Sequence, residues 1–186
     1  FAADHAAEGD VAVEALARLH ADDVLIEFLR APLDTTDPVE QTGEEAVINA
    51  AARALADSAD SRVTPLLLKL AERPPLAGVV EALGKRRCID ALPYFTQALA
   101  EDFTRPAAEA ALRNLGRAAR TALLETATRA VSDPPETVSS KRQRRSAFGL
   151  FVALGPPAKE EWPSIRRLIA DSDSGIAELA CETCLA

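Results

Sequence analysis

The stretch "ALGKRRCIDALPYFTQALAEDFTRPAAEAALRNLG", residues 82–116, decides the fold. It opens on an apolar stripe closing at Leu83-Gly84, followed by the cations Lys85, Arg86 and Arg87 beside Cys88. Leu92, Phe95 and Leu99 then recur at helical spacing and form a core face. An acidic turn, Glu101-Asp102, leads to an Ala-rich stripe that closes again on Leu115-Gly116. Pro93 and Pro106 fall early in their helices, where the missing N–H has no intrahelical partner to lose. Asp90 and Thr104 are the expected N-caps. Gly84 and Gly116 are expected to end their helices in the left-handed conformation that glycine adopts without strain. Lys85–Arg87 follow a helix C-terminus, where cations oppose the negative end of the dipole. They read as the corner of a repeating unit.

The unit recurs. "EALG" (81–84), "RNLG" (113–116) and "VALG" (152–155) each close an apolar stretch, and "EALA" (14–17) and "RALA" (53–56) occupy the same place without glycine. The marker residues are Leu16, Leu55, Leu83, Leu115 and Leu154, and Gly155 is a third expected left-handed stop. Between them lies a second helix type: "ADDVLIEFLRA" (21–31), "RVTPLLLKLAE" (62–72), "DALPYFTQALA" (90–100) and "EWPSIRRLIAD" (161–171). Pro65, Pro93 and Pro163 sit near the starts of three of these, and Leu66, Leu67 and Leu70 form the core face of one. Pro32, Pro38, Pro74, Pro75, Pro134, Pro135, Pro156 and Pro157 are expected between helices, where they stop one element before the next. About eleven helices in two alternating types follow, each hairpin needing a neighbour to cover its apolar face.

The pairing of Leu92-Pro93, Glu101-Asp102, Ala107–Leu112 and Leu115-Gly116 resembles the short HEAT-like repeats first associated with phycobilin lyases. The match is good over residues 63–116 and looser over 11–56 and 121–186. The aromatic markers of tetratricopeptide repeats are absent. The resemblance implies an all-α fold, a right-handed α-solenoid of about five to six helical hairpins forming one domain over residues 1–186. It implies that the second helices line a concave face used for binding more often than for catalysis. Relatives of that family include protein-interaction scaffolds, bilin lyases and, further off, DNA glycosylases.

Apolar residues make up 48% of the chain and aromatic residues only 4%, so the core must be built from Leu, Ala, Val and Ile. No apolar run approaches the roughly 20 residues that span a bilayer, and no membrane association is expected. No signal-peptide pattern opens the sequence, and three cysteines are too few for a disulfide framework; a cytoplasmic setting is expected. The net charge of −8 is unevenly spread: −11 over residues 1–60, +6 over 61–150 and −3 over 151–186. The middle segment favours an acidic partner.

The candidate site is "SSKRQRRSAFGLF", residues 139–151. Lys141, Arg142, Arg144 and Arg145 stand at the start of an apolar helix, where cations face the positive dipole end at a cost of about 0.3–1 kcal/mol each. A sequence that accepts this cost points to an acidic partner or phosphates. Arg113, Arg117 and Arg120, near the end of the equivalent helix one repeat earlier, extend the patch. "CETC" (181–184) has metal-like spacing, but a closed zinc site needs four ligands. Besides Cys88, only His5 and His20 remain, far away in sequence, so buried thiols are the expectation. No HExxH, P-loop or dinucleotide fingerprint is present. Tyr94 and Trp162 read as packing residues, and no residue carries bilin-lyase chemistry over.

A non-enzymatic scaffold follows, docking an acidic protein partner on the concave face with no metal or cofactor. Nucleic-acid binding through the basic 85–145 segment, of the DNA-glycosylase-like kind, is the alternative. A bilin lyase or tetrapyrrole chaperone is the third.

Overall fold

The computed structural model describes Val13, Ala15 and residues 21–31, 37–129 and 136–185. Leu16, His5, His20, Pro32 and Pro134-Pro135 lie outside the described residues. Among those described there are helices and turns and no strand. The helices are α1 (Asp22–Arg30), α2 (Pro38–Ala54), α3 (Val63–Leu70), α4 (Ala77–Lys85), α5 (Leu92–Ala98), α6 (Arg105–Leu115), α7 (Arg120–Ala127), α8 (Val138–Ala153), α9 (Trp162–Leu168) and α10 (Ser174–Leu185). Short 3-10 turns at Ile89–Ala91 and Gly116–Ala119 lead into α5 and α7. None of these helices is long and apolar enough to cross a membrane.

Each odd-numbered helix packs on the even-numbered one that follows it, and the even-numbered helices stack in turn: α2 on α4, α4 on α6, α6 on α8, α8 on α10. This all-helical stack of hairpins is compatible with an α-solenoid. Its core holds most of the stripes read from spacing: Leu67, Leu83, Phe95, Leu99 and Leu112 are fully buried, with Leu66 and Leu70 nearly so, while Leu92 is only partly buried against them. Leu55 and Leu83 are fully buried markers, whereas Leu115 and Leu154 are partly buried at the edge of the core. Ala51, Ala82, Ala108, Ala111 and Ala147 fill the spaces between stacked helices. Small side chains there let the backbones approach, and a chain with few aromatics must pack this way.

The helix ends carry four corrections. Gly84 lies inside α4 with ordinary helical backbone, and the left-handed residue is Arg87, at φ 51°. The Arg87 and Cys88 N–H groups donate to the Gly84 and Leu83 carbonyls, which is a Schellman ending with arginine where glycine is usual. A β-carbon on Gly84 would stand 2.5 Å from the Ala111 Cβ, so this position is glycine for the α4–α6 approach. Gly116 and Gly155 do have positive φ, 58° and 121°, as expected. Asp90 sits within the 3-10 turn rather than capping α5. Thr104 does precede α6, but its hydroxyl donates to the Ala98 carbonyl at 2.7 Å and ties the end of α5 to the start of α6. Pro38 opens α2 instead of separating helices, behind Asp37, whose Oδ1 accepts from the Val39 N–H at 2.8 Å.

The Lys85–Arg87 corner is tied to the preceding hairpin. Lys85 pairs with Asp57, and the Arg86 guanidinium donates to the Ser58 carbonyl at 2.7 Å and the Thr64 hydroxyl at 2.8 Å. Tyr94 is buried, and its hydroxyl accepts from the Leu76 N–H at 2.8 Å. Burial pushes the phenol up to about 12, so it stays neutral and structural.

Candidate functional site: a basic cleft at the starts of α6 and α8

The cations singled out in sequence separate into two sets by the helix stripe they occupy. Arg144 stands three, four and seven residues before Ala147, Phe148 and Phe151, the buried face of α8. Arg120 stands at the same offsets from Leu123, Leu124 and Ala127 on α7. Both turn inward. The Arg144 side chain is 5% exposed and bonds to Glu136 at 3.0 and 3.1 Å, to Asp171, and to the Ala127 carbonyl at 3.0 Å. Burial works against its charge, and the bonds to Asp171 and Glu136 outweigh that and hold its pKa above the usual value. Arg120 donates to Glu161 at 2.8 Å and to the Gly155 and Phe151 carbonyls at the end of α8, with its head 4.2 Å from the centre of the Phe151 ring. These two arginines cap the C-termini of neighbouring helices, where a cation is favoured. They correct the expectation that they face a partner.

The other set faces outward. Lys141 and Arg145 stand four residues apart on one side of α8, and both are exposed. Arg145 donates to Asp173 at 2.7 Å, and Arg142 donates to the Ala100 carbonyl at 3.2 Å with Asp102 at 3.5 Å. Arg113 is exposed and pairs with Glu109 one turn back, and Arg117 is exposed in the 3-10 turn after α6. These last two lie at the far end of α6 from the residues that converge.

Convergence occurs where α6 and α8 begin side by side. A cleft of about 430 Å³ is lined, among the described residues, by Arg105, Val138, Lys141, Arg142, Arg145 and Ser146. Arg105 was not legible as a site residue. The one signal was its place as the first residue of α6, because stacked helices bring their starts together. Two carboxylates answer the four cations. Asp102 contacts Arg105 at 2.8 Å and Arg142 at 3.5 Å, and Asp173 contacts Arg145. Two positive charges remain, and the N-terminal dipole ends of two helices add to them. Lys141 has no ion-pair partner among the described residues.

Asp173 is 2% exposed at its side chain and accepts from Arg145 and from the Gly175 and Ile176 N–H groups that begin α10. The Arg145 bond, followed by those backbone bonds, holds its carboxyl below 3.8 against the opposing effect of burial. The Arg120 bond does the same for Glu161 below 4.5, and Arg62 holds the half-buried Asp60 at about 2. A carboxyl with a depressed folded pKa stabilises the fold above its unfolded value and loses that contribution as pH falls through the folded one. The urea midpoint should therefore fall as pH drops from about 4.5 towards 2. Asp173→Asn should make that fall shallower, and an unchanged slope in the variant would remove Asp173 from this role.

The cysteines carry another correction. Cys88 is buried, but Cys181 and Cys184 are exposed. The buried stripe of α10 is Ile176, Ala180 and Thr183, and the Cys pair lies off it. Among the described residues no group of three or more His, Cys, Asp or Glu stands where it could hold a metal.

Comparison with protein-family models, with curated proteins and with solved structures finds no match for this chain.

Proposed function

We propose that the protein is a non-enzymatic interaction scaffold, a short HEAT-like right-handed solenoid that docks an acidic segment of a protein partner at the cleft between α6 and α8. One observation carries this reading: four cations line a single open cleft with two carboxylates to balance them. Exposed charge of one sign in a concavity concentrates oppositely charged ligands and speeds their encounter. The stacked hairpins supply the rigid frame on which such a cleft keeps its shape.

A fluorescein-labelled oligoglutamate peptide titrated against the protein at low ionic strength tests the reading by anisotropy. Binding should weaken steadily with added salt, and Lys141→Glu should reduce affinity about tenfold by reversing the cleft cation that has no ion-pair partner among the described residues. Binding indifferent to Lys141→Glu, or none at low salt, would overturn it. So would catalytic turnover that a single cleft substitution abolishes.

Nucleic-acid binding is the second reading, because the same cations suit phosphates. Arg144 of the expected patch and Arg120 of its extension are held inside the fold, and the first sixty residues carry a net −11 that repels a polyanion. A single-stranded oligonucleotide in the same titration separates the two.

A further inference from the structure

We propose that the cleft between α6 and α8 recognises a phosphorylated side chain on the partner protein. This rests on the scaffold reading and specifies the charged group that the cleft takes.

Size comes first. At about 430 Å³ the cleft lies near the small end of ligand sites, suited to one side chain and its head group rather than a helix or a duplex. Charge is the second constraint. Arg105, Lys141, Arg142 and Arg145 less Asp102 and Asp173 leave two positive charges. A carboxylate would neutralise one of them. A phosphomonoester carries about −1.5 to −2 at neutral pH and neutralises both. Donor geometry is the third. Three of the four cations are arginines, whose planar forks match the oxygens of a phosphate, and the fourth is a lysine able to meet it as a point charge. Ser146 adds a hydroxyl to the lining, and Val138, 73% exposed, offers an apolar ledge for the carbon chain that bears the phosphate.

Asp102 occupies a telling position. Its carboxylate is 59% exposed, and it reaches Arg105 and Arg142 together, the two arginines that flank the cleft from α6 and α8. It acts as an internal stand-in for the incoming anion. Its exposure lets it swing into water when a stronger, doubly charged competitor arrives. Removing its charge should therefore strengthen binding, an outcome that a purely structural salt bridge does not produce.

The test uses the whole chain and three labelled peptides of one acidic sequence that differ only at the central residue: phosphoserine, glutamate or serine. The phosphoserine peptide should bind about tenfold tighter than the glutamate peptide. Asp102→Asn should tighten the phosphoserine peptide about threefold, and Lys141→Gln should weaken it about fivefold, both without moving the urea midpoint. Equal affinity for the phosphoserine and glutamate peptides overturns this inference and leaves the acidic-segment reading standing. Failure of all three peptides to bind overturns both. A single-stranded oligonucleotide that binds tighter than the phosphoserine peptide also overturns it, in favour of nucleic acid. Weaker binding by Asp102→Asn overturns the stand-in role of Asp102.

Discussion

Arg144→Met is expected to cost the fold about 3–5 kcal/mol, a large share of the 5–15 kcal/mol that holds a typical domain together. Methionine approximates the length of the arginine stem, so the loss comes from the guanidinium and not from a void. Three acceptors from three places depend on that one head group: Glu136 before α8, Asp171 after α9, and the Ala127 carbonyl at the end of α7. The Glu136 and Asp171 side chains are 4% and 10% exposed, so neither can exchange the arginine for bulk water. An unpaired carboxylate in such a place is penalised by desolvation far more than a surface one. Arg144→Lys should fail as well, because a single ammonium cannot reach three separated acceptors with fork geometry. The triple variant Arg144→Met, Glu136→Gln, Asp171→Asn should recover most of the loss, since removing every charge of a buried cluster is often close to neutral. Urea unfolding midpoints of the single and triple variants decide the matter. A single variant within about 1 kcal/mol of the wild type would mean that water reaches the cluster and that Arg144 ties nothing.

What the sequence makes legible here is the periodicity, and what it hides is the partner across a gap. The helical spacing of Leu66, Leu67 and Leu70 and of Phe95 and Leu99 places those residues in the core, and they are buried there. Pro93, Pro106 and Pro163 fall in the first turns of their helices. The inward turn of Arg144 and Arg120 was also present in the pattern, because each lies on the apolar stripe of its own helix. Reading the run from Lys141 to Arg145 as one basic patch ignores that successive helical residues point about 100° apart. Asp171 lies 27 residues beyond Arg144, and no local rule links them. The same holds for Arg105, which reaches the cleft only because α6 and α8 stack. The reading of Cys181 and Cys184 as buried failed because shared spacing shows that two residues lie on one face, without showing which face the neighbouring helices cover.

Gly78→Ala and Gly84→Ala should each destabilise the protein, while Gly43→Ala should stabilise it. Helix propensity alone gives all three the same sign, a gain of up to about 1 kcal/mol, since each glycine lies in a helix. Stacking separates them. At Gly78 a new Cβ would stand 2.2 Å from the Asn49 carbonyl oxygen and 2.6 Å from the Asn49 Cα. Those are backbone atoms of α2, so no side-chain rotation relieves the clash. The Asn49 Oδ1 also accepts from the Gly78 N–H at 2.6 Å, and separating the helices would stretch that bond. At Gly84 the obstacles are the Cβ and Cα of Ala111, at 2.5 and 2.9 Å, again nothing that can rotate away. Forcing a methyl into so close a contact costs about 1–3 kcal/mol or more, which exceeds the propensity gain. Gly43 meets nothing within 4 Å, so there the gain stands uncontested. Its melting temperature should rise by about 2–4 °C, and the other two should fall by at least as much. The double variant at Gly78 and Gly84 should lose more than the sum of its parts if α4 answers as one rigid body, because both contacts set its distance to α2 and α6. A neutral Gly84→Ala would mean that α4 and α6 separate without loss, and an array whose hairpins separate that freely could not hold the α6–α8 cleft to one shape.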